Sequence, residues 1–338
     1  MAQANIQLWL VHSEISSKYY PYSSNMQMLL KALLNNIQPT AAMVVGVTAS
    51  APWGVEFTEI DGFAYHILVE GEALLTEQSR LQQGNDFLLS AGALAIVAPH
   101  IPFKLRSGKT AFSESLATME QKTVKIGLGW KLYEGGSGST CRMICGTFTI
   151  DMALAPILTP AFKAVTVFEQ NLLNPRFTQL IELIVGELKD ERPGTSAIIQ
   201  RYAEILFLEV LRGFGTQNSS SFGIFAAIRE PNLARSLAAF HSSPEKVWTI
   251  QALADQSGMS IATFKRIFST YLSVPPHEYV LRWRLSEAAR QLCKTNQSIK
   301  SISEIVGFAS HTSFNKAFRR IYNCSPSTYR ELTMKRFS

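Results

Sequence analysis

Cysteine is scarce in this sequence: Cys141, Cys145, Cys293 and Cys324 are the only four in 338 residues, and no two stand as Cys-x-x-Cys. That is too few, and too scattered, for a disulfide framework, so all four are expected as reduced thiols. Charged residues make up 17% of the chain against 46% apolar, a balance that excludes intrinsic disorder. The longest apolar stretch, 87–99, falls well short of the roughly 20 residues needed to cross a bilayer. The N-terminus also lacks the basic start, apolar core and small-residue cleavage site of an export signal, so a cytoplasmic location without membrane association is expected. Neither a Gly-x-x-x-x-Gly-Lys phosphate loop nor a Gly-x-Ser-x-Gly nucleophile elbow occurs, and Gly135-Gly136-Ser137-Gly138 reads as a hairpin or loop.

The length predicts about two domains, at about 150 residues each, and the charge divides along the same line. Residues 232–338 carry 15 Lys and Arg against 6 Asp and Glu, whereas residues 1–231 carry 17 against 20. A compact basic segment of this kind is what a polyphosphate partner requires, because neutralising phosphates releases counterions. The Gly/Ser-rich stretch 213–223, GFGTQNSSSFG, sits at the change and reads as a linker. Upstream of it, apolar residues at helical intervals predict helices over Phe177–Leu188 and Ser196–Arg212. Earlier segments rich in β-formers (43–47, 64–69, 73–76, 86–89 and 93–97) predict antiparallel strands of a small β-barrel.

The C-terminal segment repeats itself. Ile250, Leu253, Gly258 and Met259 recur as Ile299, Ile302, Gly307 and Phe308 at an offset of 49, and Phe264, Phe268, Pro276 and Tyr279 recur as Phe314, Phe318, Pro326 and Tyr329 at 50. Each copy reads as a short helix, a Gly suited to positive φ, a capping Ser (Ser260 or Ser310) and a second helix, which makes a helix-turn-helix. On the second helices Phe264, Ile267 and Phe268, and then Phe314, Ala317 and Phe318, fall at core spacing. Ala262, Lys265, Arg266, His311, Thr312, Asn315 and Lys316 are left outward. Arg and Lys can donate to guanine, Asn can pair with adenine, and Ala or Thr methyls can touch thymine, so these seven are the expected base readers. Arg319 and Arg320, one turn later, are expected on phosphates. Apolar spacing from His277 to Cys293 predicts one continuous helix joining the units, which could then enter successive major-groove segments about 34 Å apart. A helical interaction domain with a merely solvated basic surface is the competing reading.

These residues resemble a known family. Segments 248–268, WTIQALADQSGMSIATFKRIF, and 299–330, IKSISEIVGFASHTSFNKAFRRIYNCSPSTYR, are similar to the double helix-turn-helix of AraC-type (AraC/XylS) bacterial transcription regulators. Gly307-Phe308, Phe314, Ala317-Phe318, Ser325-Pro326 and Trp283-Arg284 stand at signature positions. The seven outward residues named above fall where the family meets DNA. Ser303 departs from the usual Ala, and its buried hydroxyl needs a partner such as a carbonyl one turn back. Segments 198–212 and 225–241, Pro52-Trp53-Gly54 and Cys145-Gly146-Thr147-Phe148 resemble a branch of the family with an N-terminal cupin-like domain.

The resemblance implies an α+β chain. Its parts would be a cupin-like sensing and dimerisation domain over 1–212, a linker over 213–235 and an all-α DNA-binding domain over 236–338. Double-stranded DNA, a small-molecule effector, a second copy of the chain and RNA polymerase are the partners this implies, for a transcription regulator acting as an activator.

The alternatives are a ligand-independent architectural DNA binder and a cupin metalloenzyme fused to a DNA module. Metal-dependent cupins gather several His and a Glu, but here His66 lacks its partner His, and Phe103 stands at a later ligand position. No metal, other cofactor or catalytic residue is therefore expected, and His66 is the one residue proposed to touch an effector. Cys141 and Cys145, four apart in a strand-like segment, are expected to share a face and pack in the core. Trp9, Trp53 and Trp130 are expected in the core, and Lys122, Lys125 and Lys131 on a solvated surface.

Overall fold

The computed structural model describes residues 24–58, 60–78, 84–126, 130–169, 175–190, 192–216 and 223–337. Its strands are β1 (Thr40–Ser50), β2 (Gly54–Phe57), β3 (Phe63–Glu70), β4 (Glu72–Glu77), β5 (Asp86–Ser90), β6 (Leu94–Val97), β7 (Phe103–Arg106), β8 (Glu114–Ser115), β9 (Val124–Ile126), β10 (Trp130–Glu134), β11 (Thr140–Thr149) and β12 (Val165–Phe168). Its helices are α1 (Ser24–Asn36), α2 (Leu116–Lys122), α3 (Ala155–Leu158), α4 (Pro175–Asp190), α5 (Thr195–Thr216), α6 (Ile224–Ala227), α7 (Pro231–Ser242), α8 (Ile250–Ser257), α9 (Ile261–Leu272), α10 (Pro276–Lys294), α11 (Ile299–Ile305), α12 (His311–Tyr322) and α13 (Pro326–Phe337).

The chain forms two units. One comprises Gln38–Asp151 and Phe162–Gly213; the other comprises Phe214–Ser338, the segment ending at Ile37, and Met152–Ala161. Much of the described part of the predicted linker is helical: Gly213–Thr216 closes α5, α6 begins at Ile224, and α7 begins at Pro231. Residues 217–222 lie outside the described residues.

In the first unit the strands make an open sandwich, with sheets ordered β12-β6-β3-β11-β1-β10-β9 and β5-β4-β7-β2-β8. All five predicted strand segments lie in it, and α4 and α5 cover both predicted helices. Strand β3 reads FAYHILVE and is buried along most of its length. Such a continuous apolar run is what a strand covered on both faces requires. Ala64 and Leu68 enter the core between the sheets with Val55, Leu75, Phe103 and Leu105. Phe63 and Tyr65 point the other way: Tyr65 stacks on Phe148 at 4.3 Å, and Phe148 meets Phe207 of α5 at 4.7 Å. The position of His66 follows from this alternation, since it shares a face with Ala64 and Leu68 and so points between the sheets.

In the second unit both repeats fold alike. The first helix of each is capped by a hydroxyl, Thr249 on the Ala252 amide and Ser298 on the Ser301 amide, and the second by Ser260 on Thr263 and Ser310 on Ser313. Gly258 (φ 69°) ends α8, and Gly307 (φ 84°) lies in the turn after α11, both in the left-handed region that a side chain disfavours. Phe264 and Phe268, then Phe314 and Phe318, are buried as their spacing predicts. Leu285, Ala288, Ala289 and Leu292 of α10 pack with Ile302, Val306, Phe314 and Phe318 of the second repeat. The joining helix runs from Pro276 to Lys294, slightly beyond its predicted span.

Candidate DNA interface and effector cavity

The seven expected base readers sit on the two second helices. Ala262, Lys265 and Arg266 of α9, and His311, Thr312 and Lys316 of α12, are exposed, whereas Asn315 is half-buried. The Asn315 amide lies 3.1 Å from His311 Nδ1, so the two side chains orient each other along one face of α12. Arg319 and Arg320 are exposed one turn on. Arg320 pairs with Glu278 at 3.0 Å, and the same carboxylate holds Arg282 at 2.8 Å. Glu278 thereby ties α12 to the joining helix, and Arg320 would reach a phosphate only by sharing or leaving that carboxylate.

Several basic residues of the C-terminal segment serve structure instead. Arg284 donates to the Pro244 and Gly307 carbonyls, each at 2.9 Å, and to the Lys246 carbonyl. Arg330 donates to the Leu292 and Gln297 carbonyls at 3.2 and 2.7 Å, and Arg235 to the Ser257 carbonyl at 2.9 Å. A planar fork satisfies several carbonyls at once in a way an ammonium cannot. Arg284→Lys is therefore expected to lower the stability of this unit by about 1–3 kcal/mol while conserving charge, measured by urea unfolding; an unchanged midpoint would refute the clip. Trp283 beside it is buried and meets the His241 ring edge-on at 4.1 Å, while His241 Nε2 lies 2.7 Å from the Tyr279 hydroxyl. Ser303 is buried, and its hydroxyl donates to the Lys300 carbonyl at 2.7 Å, the kind of partner its departure from Ala demanded.

The first unit holds an open cavity of about 300 Å³, lined among others by Val47, Trp53, Phe57, His66, Leu105, Met119, Met143 and Cys145. His66 and Cys145 face each other across β3 and β11, and Nδ1 lies 3.1 Å from Sγ. Burial lowers the His66 pKa to about 4 and pushes the Cys145 thiol up, so both are neutral near pH 7. Phe103 stacks on Phe57 at 4.5 Å and meets His66 edge-on at 5.4 Å, so an aromatic ring packs on the imidazole.

Cys141, Met143 and Cys145 share the inner face of β11, and burial raises the Cys141 thiol to about 12. Trp53 is buried as expected but also lines the cavity; Trp9 and the Trp130 side chain lie outside the described residues. Lys122 pairs with Glu114 at the surface, and the Lys125 side chain is not among the described residues. Lys131 departs from the expected solvated surface: it lines the cavity and pairs with Glu120 at 3.0 Å. Neither Lys131 nor Glu120 is marked in the sequence, because β10 and α2 meet at the cavity only through tertiary packing.

The whole arrangement has relatives. A family described as a cupin matches residues 29–214, and a helix-turn-helix domain family matches residues 253–332. The chain belongs to the AraC-type transcription regulators. An uncharacterized HTH-type transcriptional regulator of Haemophilus influenzae is 28% identical over 286 residues, 82% of this chain and 90% of that protein. The HTH-type transcriptional regulator AlkR of Acinetobacter baylyi is 28% identical over 312 residues, 89% of this chain and 98% of its own. A crystal structure of an AraC-type regulator from Chromobacterium violaceum covers 32% of this chain and 96% of its own at 28% identity, with a TM-score of 0.30. As an AraC-type regulator the protein joins a cupin-like ligand-sensing domain to a DNA-binding one. No described helix is long and apolar enough to cross a membrane.

Proposed function

We propose that this AraC-type regulator is a cytoplasmic activator without catalytic activity, which reads an asymmetric duplex site through α9 and α12. Residues 236–338 bind the DNA. Residues 1–212 sense an effector and hold two copies of the chain together, and 213–235 link the two parts. The observation that supports this reading is the pair of capped second helices, each with a buried Phe pair on one side and polar or basic residues on the other, built on the single helix α10. Lys265, Arg266 and Lys316 supply charge near the bases, with Ala262, His311, Thr312 and Asn315 beside them. Arg319 and Arg320 anchor to phosphates and carry no sequence information. RNA polymerase is the partner through which a bound activator acts.

Selection from random duplexes with the full chain, at one fixed near-physiological salt, tests the reading. The expected result is a bipartite motif with two short cores about one helical turn apart. Binding without an enriched motif would favour an architectural role. Arg266→Ala is expected to lose about 1–3 kcal/mol on the selected site and less on random DNA. Equal losses on both would make Arg266 a phosphate contact.

A further inference from the structure

The sensing role leaves open what the cavity accepts, and its lining answers in chemical terms. Its walls are mainly aliphatic, aromatic and thioether, with Val47, Phe57, Leu105, Met119 and Met143 among them. Filling such walls removes apolar area from water, the main source of affinity for a small ligand. A cavity of about 300 Å³ lies at the small end of ligand pockets, so the occupant is a small molecule.

Two polar features then select among apolar molecules. Lys131 is the cation of the lining, but Glu120, also in the lining, neutralises it at 3.0 Å. That pair is open to water, and a carboxylate ligand would gain at Lys131 only what it wins in competition with Glu120, which is little for an exposed ion pair. The other feature is His66, 3% exposed, whose Nε2 is buried and has no hydrogen-bond partner among the described residues. The Cys145 thiol lies on Nδ1 at 3.1 Å, and because an imidazole nitrogen accepts better than a thiol sulfur, S–H donates to Nδ1. That pairing selects the tautomer with the proton on Nε2. An unpaired buried N–H on the cavity wall calls for an acceptor.

We propose that the cavity takes a small, neutral, mainly apolar molecule bearing one acceptor oxygen, which pairs with His66 Nε2–H. This rests on the reading of the first unit as the sensor, but not on any reading of the DNA-binding residues.

The test uses the full-length chain without DNA and three probes of matched size: 2-nonanone, n-decane and nonanoate. Binding is read by the shift in unfolding temperature and by tryptophan fluorescence, since Trp53 lines the cavity. The ketone is expected to bind at least tenfold more tightly than either the hydrocarbon or the carboxylate. His66→Phe is expected to weaken ketone binding at least tenfold with less than twofold effect on decane, and His66→Gln, which keeps a donor, to recover part of the loss. Tighter binding of nonanoate, equal binding of ketone and hydrocarbon, or no binding of any probe to the folded protein would each overturn the proposal. The ranking on the unaltered chain needs no variant, so misfolding of His66→Phe leaves the proposal testable. Because no DNA is present, failure here leaves sequence-specific DNA binding standing. If the ketone binds but changes neither DNA affinity nor transcription, the ligand assignment survives and the sensing reading fails.

Discussion

Gly307→Ala is expected to unfold or displace α12 while α9 stays in place. At φ 84° a side chain costs about 1–2 kcal/mol. The new Cβ would also press on the Glu245 carbonyl and lie 3.0 Å from the Arg284 guanidinium, which itself donates to the Gly307 carbonyl. Neither backbone nor clip can retreat without breaking hydrogen bonds, so overpacking adds about 1–3 kcal/mol. Gly258, the equivalent residue of the first repeat, provides the control. Its φ of 69° imposes the same conformational cost, but the nearest atom to a Cβ there is Arg235 Nη2 at 3.4 Å, an ordinary contact at the end of a flexible side chain. Gly258→Ala should therefore cost only the conformational part. Urea unfolding and DNA binding of both variants decide the matter: a bipartite site should lose its α12 core with Gly307→Ala and keep both cores with Gly258→Ala. Equal effects would show that the close approach at Gly307 is immaterial.

That asymmetry marks what the sequence could and could not convey. Both glycines, the capping Ser260 and Ser310 and the buried Phe pairs are legible because each follows from local backbone chemistry repeated at an offset of 49 or 50. The strands were readable where β-formers cluster, and His66 was singled out by its place in a strand-like run. The Arg284 clip was not legible, because its partners are carbonyls, and a carbonyl leaves no mark in a sequence. For the same reason the net charge of the C-terminal segment overstates what can face DNA: Arg235, Arg284 and Arg330 count as basic but hold loops together. The cavity was equally hidden. Its walls come from β1, β2, β3, β7, α2, β10 and β11, and the Glu120–Lys131 pair forms only where these meet. Even Asn315 is partly engaged, by a His311 four residues away, a neighbour relation the helix period contains but a list of exposed residues does not.

Acidification provides the second large expected effect, because each unit buries an imidazole. Burial lowers the pKa of His66 in the first unit to about 4 and that of His241 in the second, enclosed by Phe240, Tyr279 and Trp283, to about 3. An unfolded chain returns both to about 6.5. Above that pH each ring is neutral whether the chain is folded or not, so neither affects stability. Below it the unfolded chain binds a proton that the folded chain refuses, and stability falls until the pH reaches the folded value, about 4 for His66 and about 3 for His241. At about 1.4 kcal/mol per pH unit, the loss is on the order of 3 kcal/mol for His66 and somewhat more for His241. Urea unfolding at pH 7.5 and pH 4, monitored separately for each unit, should show both losing stability. His66→Phe should lessen the loss in the first unit and leave the second unchanged, while His241→Phe should do the reverse. The carboxylates that titrate over the same range are common to all three chains and cancel in the comparison. If either variant lost as much stability on acidification as the unaltered chain, the buried ring would not be the group that refuses the proton, and water would have to reach it in the folded state.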